Sequence, residues 1–181
     1  GVPGQILPHP RDFIVCRDIK PGDIVEIESI RVSCCENTHY RPENQFGQDG
    51  PVSLSYRFDA TDRSMVFTGD TGPCHALENL AKGADLLVGE LIDADMVINR
   101  LRNKNPDMPD HALQMMRRHF SEHHLKPEDL GELASRAGVK KLVATHIPFV
   151  AKSADEDAEY VRRISTKFAG SITISEDLTE Y

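Results

Sequence analysis

The sequence predicts a domain of the α/β class, and three observations support that prediction. Apolar residues occupy 39% of the 181 positions and charged residues 28%, a balance typical of a chain that folds around a buried core. Segments with alternating polar and apolar residues recur along the chain and predict strands. In the second half, segments with helical spacing of apolar residues lie between short apolar strands, an order typical of helices packed on a parallel sheet.

The first half of the sequence contains three segments with strand patterns. Residues 24–32 alternate in polarity after the turn-forming residues 20–23, and they are predicted to form one strand. Residues 52–59 and 65–68 alternate in the same way, and a short polar turn separates them. We therefore expect the second and third segments to pair as a β-hairpin.

The second half of the sequence alternates helices with short strands. Residues 73–82 place apolar side chains on one helical face, and Gly83 suits the position after a helix end. Pro127 suits the first turn of another helix, which Gly138 would end. The other predicted elements are strands at residues 85–88, 142–144 and 171–175, two helices within residues 93–120 and a helix at residues 155–168.

Net charge limits the partners that the sequence favours. Lys and Arg number 21, whereas Asp and Glu number 29, which gives a formal net charge of −8. A surface that binds nucleic acid needs an excess of positive charge. The composition therefore argues against a nucleic-acid partner without excluding one.

Cysteine usage and apolar run lengths bear on the location of the protein. The spacing of the four cysteines matches no structural zinc motif, and we expect reduced thiols, as in a cytoplasmic protein. No apolar run reaches the roughly 18 residues that cross a bilayer. We therefore expect no membrane association.

Three residues with metal-binding side chains follow predicted strands. His39, Asp70 and His146 each lie in a loop at the exit of a strand, and such loops hold ligands in α/β proteins because a rigid sheet fixes their position. Two imidazoles and one carboxylate are a normal ligand set for zinc or a similar ion. Taken singly, each residue has a simpler explanation as a surface histidine or as an aspartate in a turn.

Two longer motifs carry a resemblance to a known family. The first is SMVFTGDTGP at residues 64–73, followed by GADLLVGE at residues 83–90. The second is HLKPEDLG at residues 124–131, followed by AGVKKLVATH at residues 137–146. In this order the motifs resemble the metallo-β-lactamase superfamily, and most closely its branch of ribonuclease Z and arylsulfatase-like hydrolases. The resemblance implies an αββα sandwich, of which this chain would supply the second half.

The resemblance implies roles for individual residues. Asp70 matches the carboxylate that bridges two metal ions at the catalytic centre, and His39 and His146 match ligands of the first and second ion. His124 matches a histidine near the scissile bond that donates a hydrogen bond or a proton, with the adjacent His123 as the alternative. Two divalent metals, zinc or alternatively manganese or iron, would hold the hydroxide that cleaves a small-molecule ester or phosphodiester.

One family motif is absent from the sequence. H-x-H-x-D-H supplies most of the metal ligands in this family, and the nearest text, HFSEHH at residues 119–124, has a different spacing and follows Asp70. Within it, His119 and His123 would share a helix face, where ordinary surface or core-edge histidines are the simpler interpretation. We expect one domain over residues 1–181, with a helical insertion at about residues 93–123.

The absent motif leaves three interpretations of the chain open. It is the C-terminal half of a longer hydrolase, or a non-catalytic, degenerate interaction module of the same fold, or a metal-binding domain whose site is completed by a homodimer. Three ligands spread over two metal positions would hold a dinuclear centre weakly. We therefore expect the chain alone to be weakly active or inactive.

Overall fold

The structure, a computed structural model, contains one mixed sheet and five helices in the residues that it describes, which are 9, 11, 13–40, 50–148 and 154–181. The strands, which are adjacent in the sheet in chain order, are β1 (Ile24–Ile27), β2 (Ile30–Glu36), β3 (Leu54–Asp59), β4 (Ser64–Phe67), β5 (Leu86–Glu90), β6 (Lys141–Thr145) and β7 (Ser171–Ile174). The helices are α1 (His75–Leu80), α2 (Ala94–Lys104), α3 (Asp110–His123), α4 (Pro127–Ala137) and α5 (Ala154–Ser165).

The first four strands are antiparallel neighbours, and the structure corrects one expectation there. Residues 24–32 do not form a single strand, because Ile27 and Ile30 pair across a tight turn that separates β1 from β2. Glu28 adopts a positive φ of 53° in that turn, a conformation typical of tight hairpin turns. The turn contains two residues, so polar and apolar residues keep alternating in step on its two sides. The sequence pattern alone therefore predicts one longer strand. The predicted hairpin of β3 and β4 is confirmed.

The strands from β4 to β7 run parallel, and helices connect them. Helix α1 joins β4 to β5, helices α2 to α4 join β5 to β6, and α5 joins β6 to β7. The register pairs Phe67 with Val88 and Glu90 with Thr145. The carboxyl ends of β4, β5 and β6 therefore meet at one edge of the sheet, which is the edge where ligands bind in open α/β sheets.

The core lies between one sheet face and three helices. Val66, Leu87 and Leu142 contribute from the strands, and Leu77 and Leu130 contribute from α1 and α4, all at 1% exposure or less. Burying each such side chain stabilises the fold by about 1.5–3 kcal/mol relative to leaving it in water. This layer holds β4 to β6 in a fixed register and so fixes the loops that follow them.

Close helix packing depends on two glycines of the core. A Cβ atom at Gly131 would lie 2.6 Å from the carbonyl oxygen of Ile164, so α4 and α5 approach more closely than any larger residue permits. A Cβ atom at Gly89 would meet the end of the Leu130 side chain on α4. Gly138 ends α4 with a positive φ of 65°, as predicted, and Pro127 stands in its first turn.

The opposite face of the sheet also carries apolar side chains. Met65 and Phe67 alternate with the core residue Val66 and therefore lie on this second face. Phe67 is 40% exposed, and its ring makes an edge-on contact with Phe58 at a centroid distance of 5.7 Å.

In the part of the chain that the structure describes, none of the helices has the length and apolar character of a membrane-spanning segment.

The four cysteines, which are Cys16, Cys34, Cys35 and Cys74, are all free thiols in the structure. Burial raises the pKa of the Cys35 thiol to about 12, with smaller contributions from the neighbouring Cys74 and Cys34. A thiol with so high a pKa is a poor nucleophile and a poor metal ligand at neutral pH, since the thiolate is the reactive form. Cys35 is therefore a packing residue of β2.

Candidate metal centre

The structure brings together two of the three predicted metal ligands with a third residue, His124. One ligand atom from each of His39, Asp70 and His124 lies within 4.8 Å of the other two. The residues come from three separate parts of the chain, after β2, after β4 and directly after α3. Ligand atoms of one tetrahedral zinc ion lie about 3–4 Å apart, so small side-chain rotations would bring this group onto one ion. Two imidazoles and a carboxylate are a donor set that fits a divalent metal.

Two hydrogen bonds orient His39, one at its backbone N–H and one at its ring. Its backbone N–H donates to Asn37 Oδ1 at 3.1 Å, and its ring Nδ1 lies 3.3 Å from the carbonyl oxygen of His123. A carbonyl only accepts, so Nδ1 carries the proton and Nε2 keeps the lone pair that a metal requires. Asn37 is itself 2% exposed and donates to Thr68 O at 3.1 Å, which ties this loop to the end of β4.

Glu90 and His124 form a buried pair beside the candidate ligands. His124 Nδ1 lies 2.8 Å from Glu90 Oε2, and both residues are buried. The other carboxylate oxygen of Glu90 accepts the backbone N–H of Thr71 at 2.6 Å, and the Glu90 N–H donates to Thr68 Oγ1 at 3.1 Å. One carboxylate therefore fixes both the His124 ring and the loop that carries Asp70. With Nδ1 as the donor to Glu90, Nε2 of His124 is free to act on a metal or a substrate.

His146 contacts Asp70, a member of this group. Its Nε2 lies 3.4 Å from Asp70 Oδ1, and its side chain is 59% exposed. The residue follows β6 with a positive φ of 51°, a conformation that is uncommon for a residue other than glycine and often found at functional sites. Asp70 thus has ligand atoms of His39 and His124 within 4.8 Å and also contacts His146.

His123 has a different position from its neighbour His124. It is buried, and its Nδ1 is hydrogen-bonded to the carbonyl oxygen of His39. Together with the bond from His39 Nδ1 to the His123 carbonyl, this contact makes a reciprocal pair between the loop after β2 and the end of α3. His123 therefore anchors the loop, and His124 is the member of the pair that reaches the candidate ligand group.

Glu90 belongs to one of the sequence motifs, but no role at the site was predicted for it. It closes the motif GADLLVGE as the last residue of β5, where an apolar strand ends in a carboxylate. That signal, an acidic residue at the carboxyl end of a buried parallel strand, indicates a position at the edge of the sheet where the other candidate residues lie. Its pairing with His124 spans 34 residues of sequence.

Comparisons with known proteins bear on the family of this chain. Residues 2–147 match the family model described as the beta-lactamase superfamily domain. Over 127 residues the chain is 35% identical to a ribonuclease Z of Mycobacterium sp. (strain KMS), an alignment that covers 70% of this chain and 40% of the relative. The chain thus spans about two fifths of the length of the curated relatives it matches.

Solved structures show the same fold at low sequence identity. The metallo-beta-lactamase fold protein YhfI from Bacillus subtilis superimposes with a TM-score of 0.61 at 18% identity, over 87% of this chain and 50% of that protein. Igni18, a metallo hydrolase from the archaeon Ignicoccus hospitalis, gives a TM-score of 0.58 at 9% identity, over 92% of this chain and 60% of that protein. At these identities the likeness concerns the fold alone.

Proposed function

This chain belongs to the metallo-β-lactamase superfamily, whose fold implies a bound divalent metal, and we propose that it supplies the C-terminal half of a phosphodiester hydrolase. The observation that carries the proposal is the convergence of His39, Asp70 and His124 at the carboxyl edge of the sheet. The ribonuclease Z relatives favour a phosphodiester over other esters. They also favour a nucleic-acid substrate, which net charge alone argued against.

The residues that would hold the metals divide around Asp70. His39 and Asp70 would bind the first ion, and Asp70 and His146 would bind the second, since Asp70 has a ligand atom of His39 within 4.8 Å and His146 Nε2 at 3.4 Å. Zinc is the first candidate, and manganese and iron accept the same nitrogen and oxygen ligands. When bound, such ions activate both the attacking water and the phosphoryl group as Lewis acids.

His124 would act on the leaving oxygen of the substrate. Glu90 accepts the hydrogen bond from Nδ1 of His124 and so orients the ring. A protonated Nε2 would then donate its proton to the oxygen that leaves phosphorus. Burial of both residues excludes water from this pair and strengthens the interaction.

A second role for His124 has its own support in the structure. A ring nitrogen of His124 lies within 4.8 Å of ligand atoms of both His39 and Asp70, which is also the position of a third ligand to the first ion. The two roles differ in what a His124→Ala variant loses. A proton donor leaves metal affinity intact and lowers turnover, whereas a ligand lowers metal affinity itself.

The remaining metal ligands would come from outside these 181 residues. The chain spans about two fifths of its curated relatives and lacks the H-x-H-x-D-H motif. An apolar sheet face that carries Met65 and the 40% exposed Phe67 fits against a second sheet layer. We propose that a longer polypeptide provides that layer; a second copy of this chain and a non-catalytic module remain the alternatives that measurement would distinguish.

Zinc titration by calorimetry tests the proposed centre directly. We expect the 181-residue chain to bind zinc, and Asp70→Asn to weaken binding by at least tenfold because one neutral amide replaces the shared carboxylate. His75→Ala is a matched control, since the His75 side chain is 84% exposed and contacts Glu78 instead of the candidate group. Equal zinc affinity in Asp70→Asn and the unchanged chain would refute this metal centre.

A further inference from the structure

We propose that His119, on helix α3, is a substrate-contacting residue that donates a hydrogen bond to an anionic phosphoryl oxygen. This inference rests on the proposed function and names a further group for the same site. The ring of His119 lies 5.5 Å from that of His124 and 6.3 Å from that of His39, measured between centroids. The imidazole therefore lies beside two members of the candidate metal group, although His119 follows His39 by 80 residues in the sequence.

Helix α3 is anchored so that His119 faces the site. His123 and His39 exchange contacts between ring Nδ1 and backbone carbonyl in both directions, which ties the last turn of α3 to the loop after β2. His119 precedes His123 by four residues and therefore shares its helix face. The two rings lie 4.8 Å apart with an interplanar angle of 32°, so the anchored ring of His123 supports that of His119.

Exposure distinguishes His119 from the other imidazoles of this cluster. His123 and His124 are buried and His39 is half-buried, whereas His119 is exposed. A substrate that reaches the candidate group from solvent meets the exposed ring at the entrance. His119 is thus placed to touch the substrate, while its neighbours hold the loop, the metal or the transferred proton.

The chemistry of an imidazole selects for an anionic substrate. An N–H of the ring donates to a non-bridging oxygen of a phosphodiester, where the charge of the acceptor strengthens the hydrogen bond. A neutral carboxylic ester offers no such charged oxygen in its ground state. The same side chain would therefore favour binding of phosphodiesters over neutral esters at this site.

The test compares phosphate binding in three variants of the 181-residue chain, and hydrolysis in the same variants of the full hydrolase, the longer polypeptide proposed to contain this chain. His119→Ala removes the donor, His119→Gln keeps an N–H donor, and His111→Ala alters another exposed histidine of α3 as the control. Inorganic phosphate is titrated into the zinc-loaded proteins by calorimetry, and the ¹⁵N shifts of the His119 ring are followed by NMR. Bis(p-nitrophenyl) phosphate and p-nitrophenyl acetate serve as the charged and neutral substrates.

We expect His119→Ala to bind phosphate about tenfold more weakly, the loss of one hydrogen bond to a charged acceptor. KM for the diester should rise by a similar factor with little change in kcat, and KM for the acetate should stay unchanged. His119→Gln should recover part of the phosphate affinity, and His111→Ala should match the unchanged chain. Zinc affinity should be equal in all of these proteins.

Two results would overturn the inference. One is phosphate affinity in His119→Ala within twofold of the unchanged chain, and the other is the absence of phosphate binding in the unchanged chain. Failure of the hydrolase proposal has a different signature. If the 181-residue chain binds phosphate through His119 and the full hydrolase cleaves no diester, the hydrolase proposal is refuted and this contact is supported, because the calorimetric and NMR readouts do not depend on turnover.

Discussion

At the scale of single residues, the Glu90–His124 pair fixes the positions of two parts of the candidate metal centre. The carboxylate accepts from the ring at one oxygen and from the Thr71 backbone at the other. It therefore sets both the tautomer of His124 and the position of the loop that bears Asp70. The exposed pair of His75 and Glu78, 3.2 Å apart, has the same two residue types in solvent, where such contacts contribute little.

Glu90→Gln should change the tautomer of His124 while it keeps the packing around the ring. The amide keeps the size of the side chain and can still accept from Thr71, but its NH₂ group opposes the N–H at His124 Nδ1 and favours the other tautomer. We expect diester hydrolysis by the full hydrolase to fall about 10–100-fold, and the ¹⁵N spectrum of the His124 ring to show the proton on Nε2. Glu78→Gln is the control, and an unchanged His124 tautomer in Glu90→Gln would contradict the assignment.

At the scale of elements, one arginine joins α5 and α4 to the residue that caps α2, where the helical pair of α2 and α3 begins. Arg163 on α5 makes a bidentate contact with Glu128 on α4, at 2.7 and 2.9 Å, and also contacts Asp93. Asp93 caps α2 by accepting the Met96 N–H at 3.0 Å. The beginning of the helical pair is therefore fixed to the core helices, while its end is fixed to the loop of His39.

The Glu128–Arg163 contact predicts a pH dependence of stability. Its hydrogen bond to Arg163 is the main cause that holds the pKa of Glu128 below its usual value in the folded protein. A lowered folded pKa stabilises the native state above the unfolded pKa of about 4.3, and this stabilisation is lost as pH falls through the folded pKa. The stability difference between the unchanged chain and Glu128→Gln should therefore be largest near pH 7 and shrink below about pH 4.

Urea unfolding from pH 7 to pH 3 measures this difference. Glu132→Gln is the matched control, since Glu132 lies on the same helix in an ion pair with the exposed Arg136. Exposed pairs of this kind contribute little to stability, and we expect a small effect across the pH range. A Glu128→Gln difference that is constant from pH 7 to pH 3 would show that the carboxylate charge plays no part.

At the scale of the whole molecule, one helical layer covers one sheet face. The core lies between that face and helices α1, α4 and α5, and the candidate metal centre lies at the carboxyl edge of the same sheet. The second face carries Met65 and the exposed Phe67. Under the proposed function, this face would pack on a second sheet that supplies further metal ligands.

The mass of the protein in solution, with and without zinc, distinguishes the proposed sources of a second sheet layer. If a longer polypeptide supplies it, the isolated chain should remain near 20.2 kDa in light scattering whether or not zinc is present. Zinc-dependent doubling of the mass would instead indicate that a second copy completes the site. Zinc analysis on the same samples separates both cases from a non-catalytic module, which would bind no zinc.

Local sequence patterns predicted the strands and helices, with the exception of the break between β1 and β2. That exception also has a local cause. The two-residue turn after Ile27 leaves the polarity period of residues 24–32 unchanged, so the break between β1 and β2 is invisible in the pattern. The helix between Pro127 and Gly138 forms where predicted, and the two helices predicted within residues 93–120 form at Ala94–Lys104 and Asp110–His123. Their apolar spacing and terminal residues are properties of short segments, which act before any long-range contact forms.

Sequence by itself determined the superfamily, the order of strands and helices, and the positions of His39, Asp70 and His146 after strands. Only the tertiary structure decided that Glu90 pairs with His124, that His124 and not His123 reaches the candidate group, and that His119 lies beside it. The physical reason is the distance in sequence between the partners. Local spacing fixes which residues share a strand or a helix face, but a contact across 34 or 84 residues depends on how sheet, loop and helix pack together.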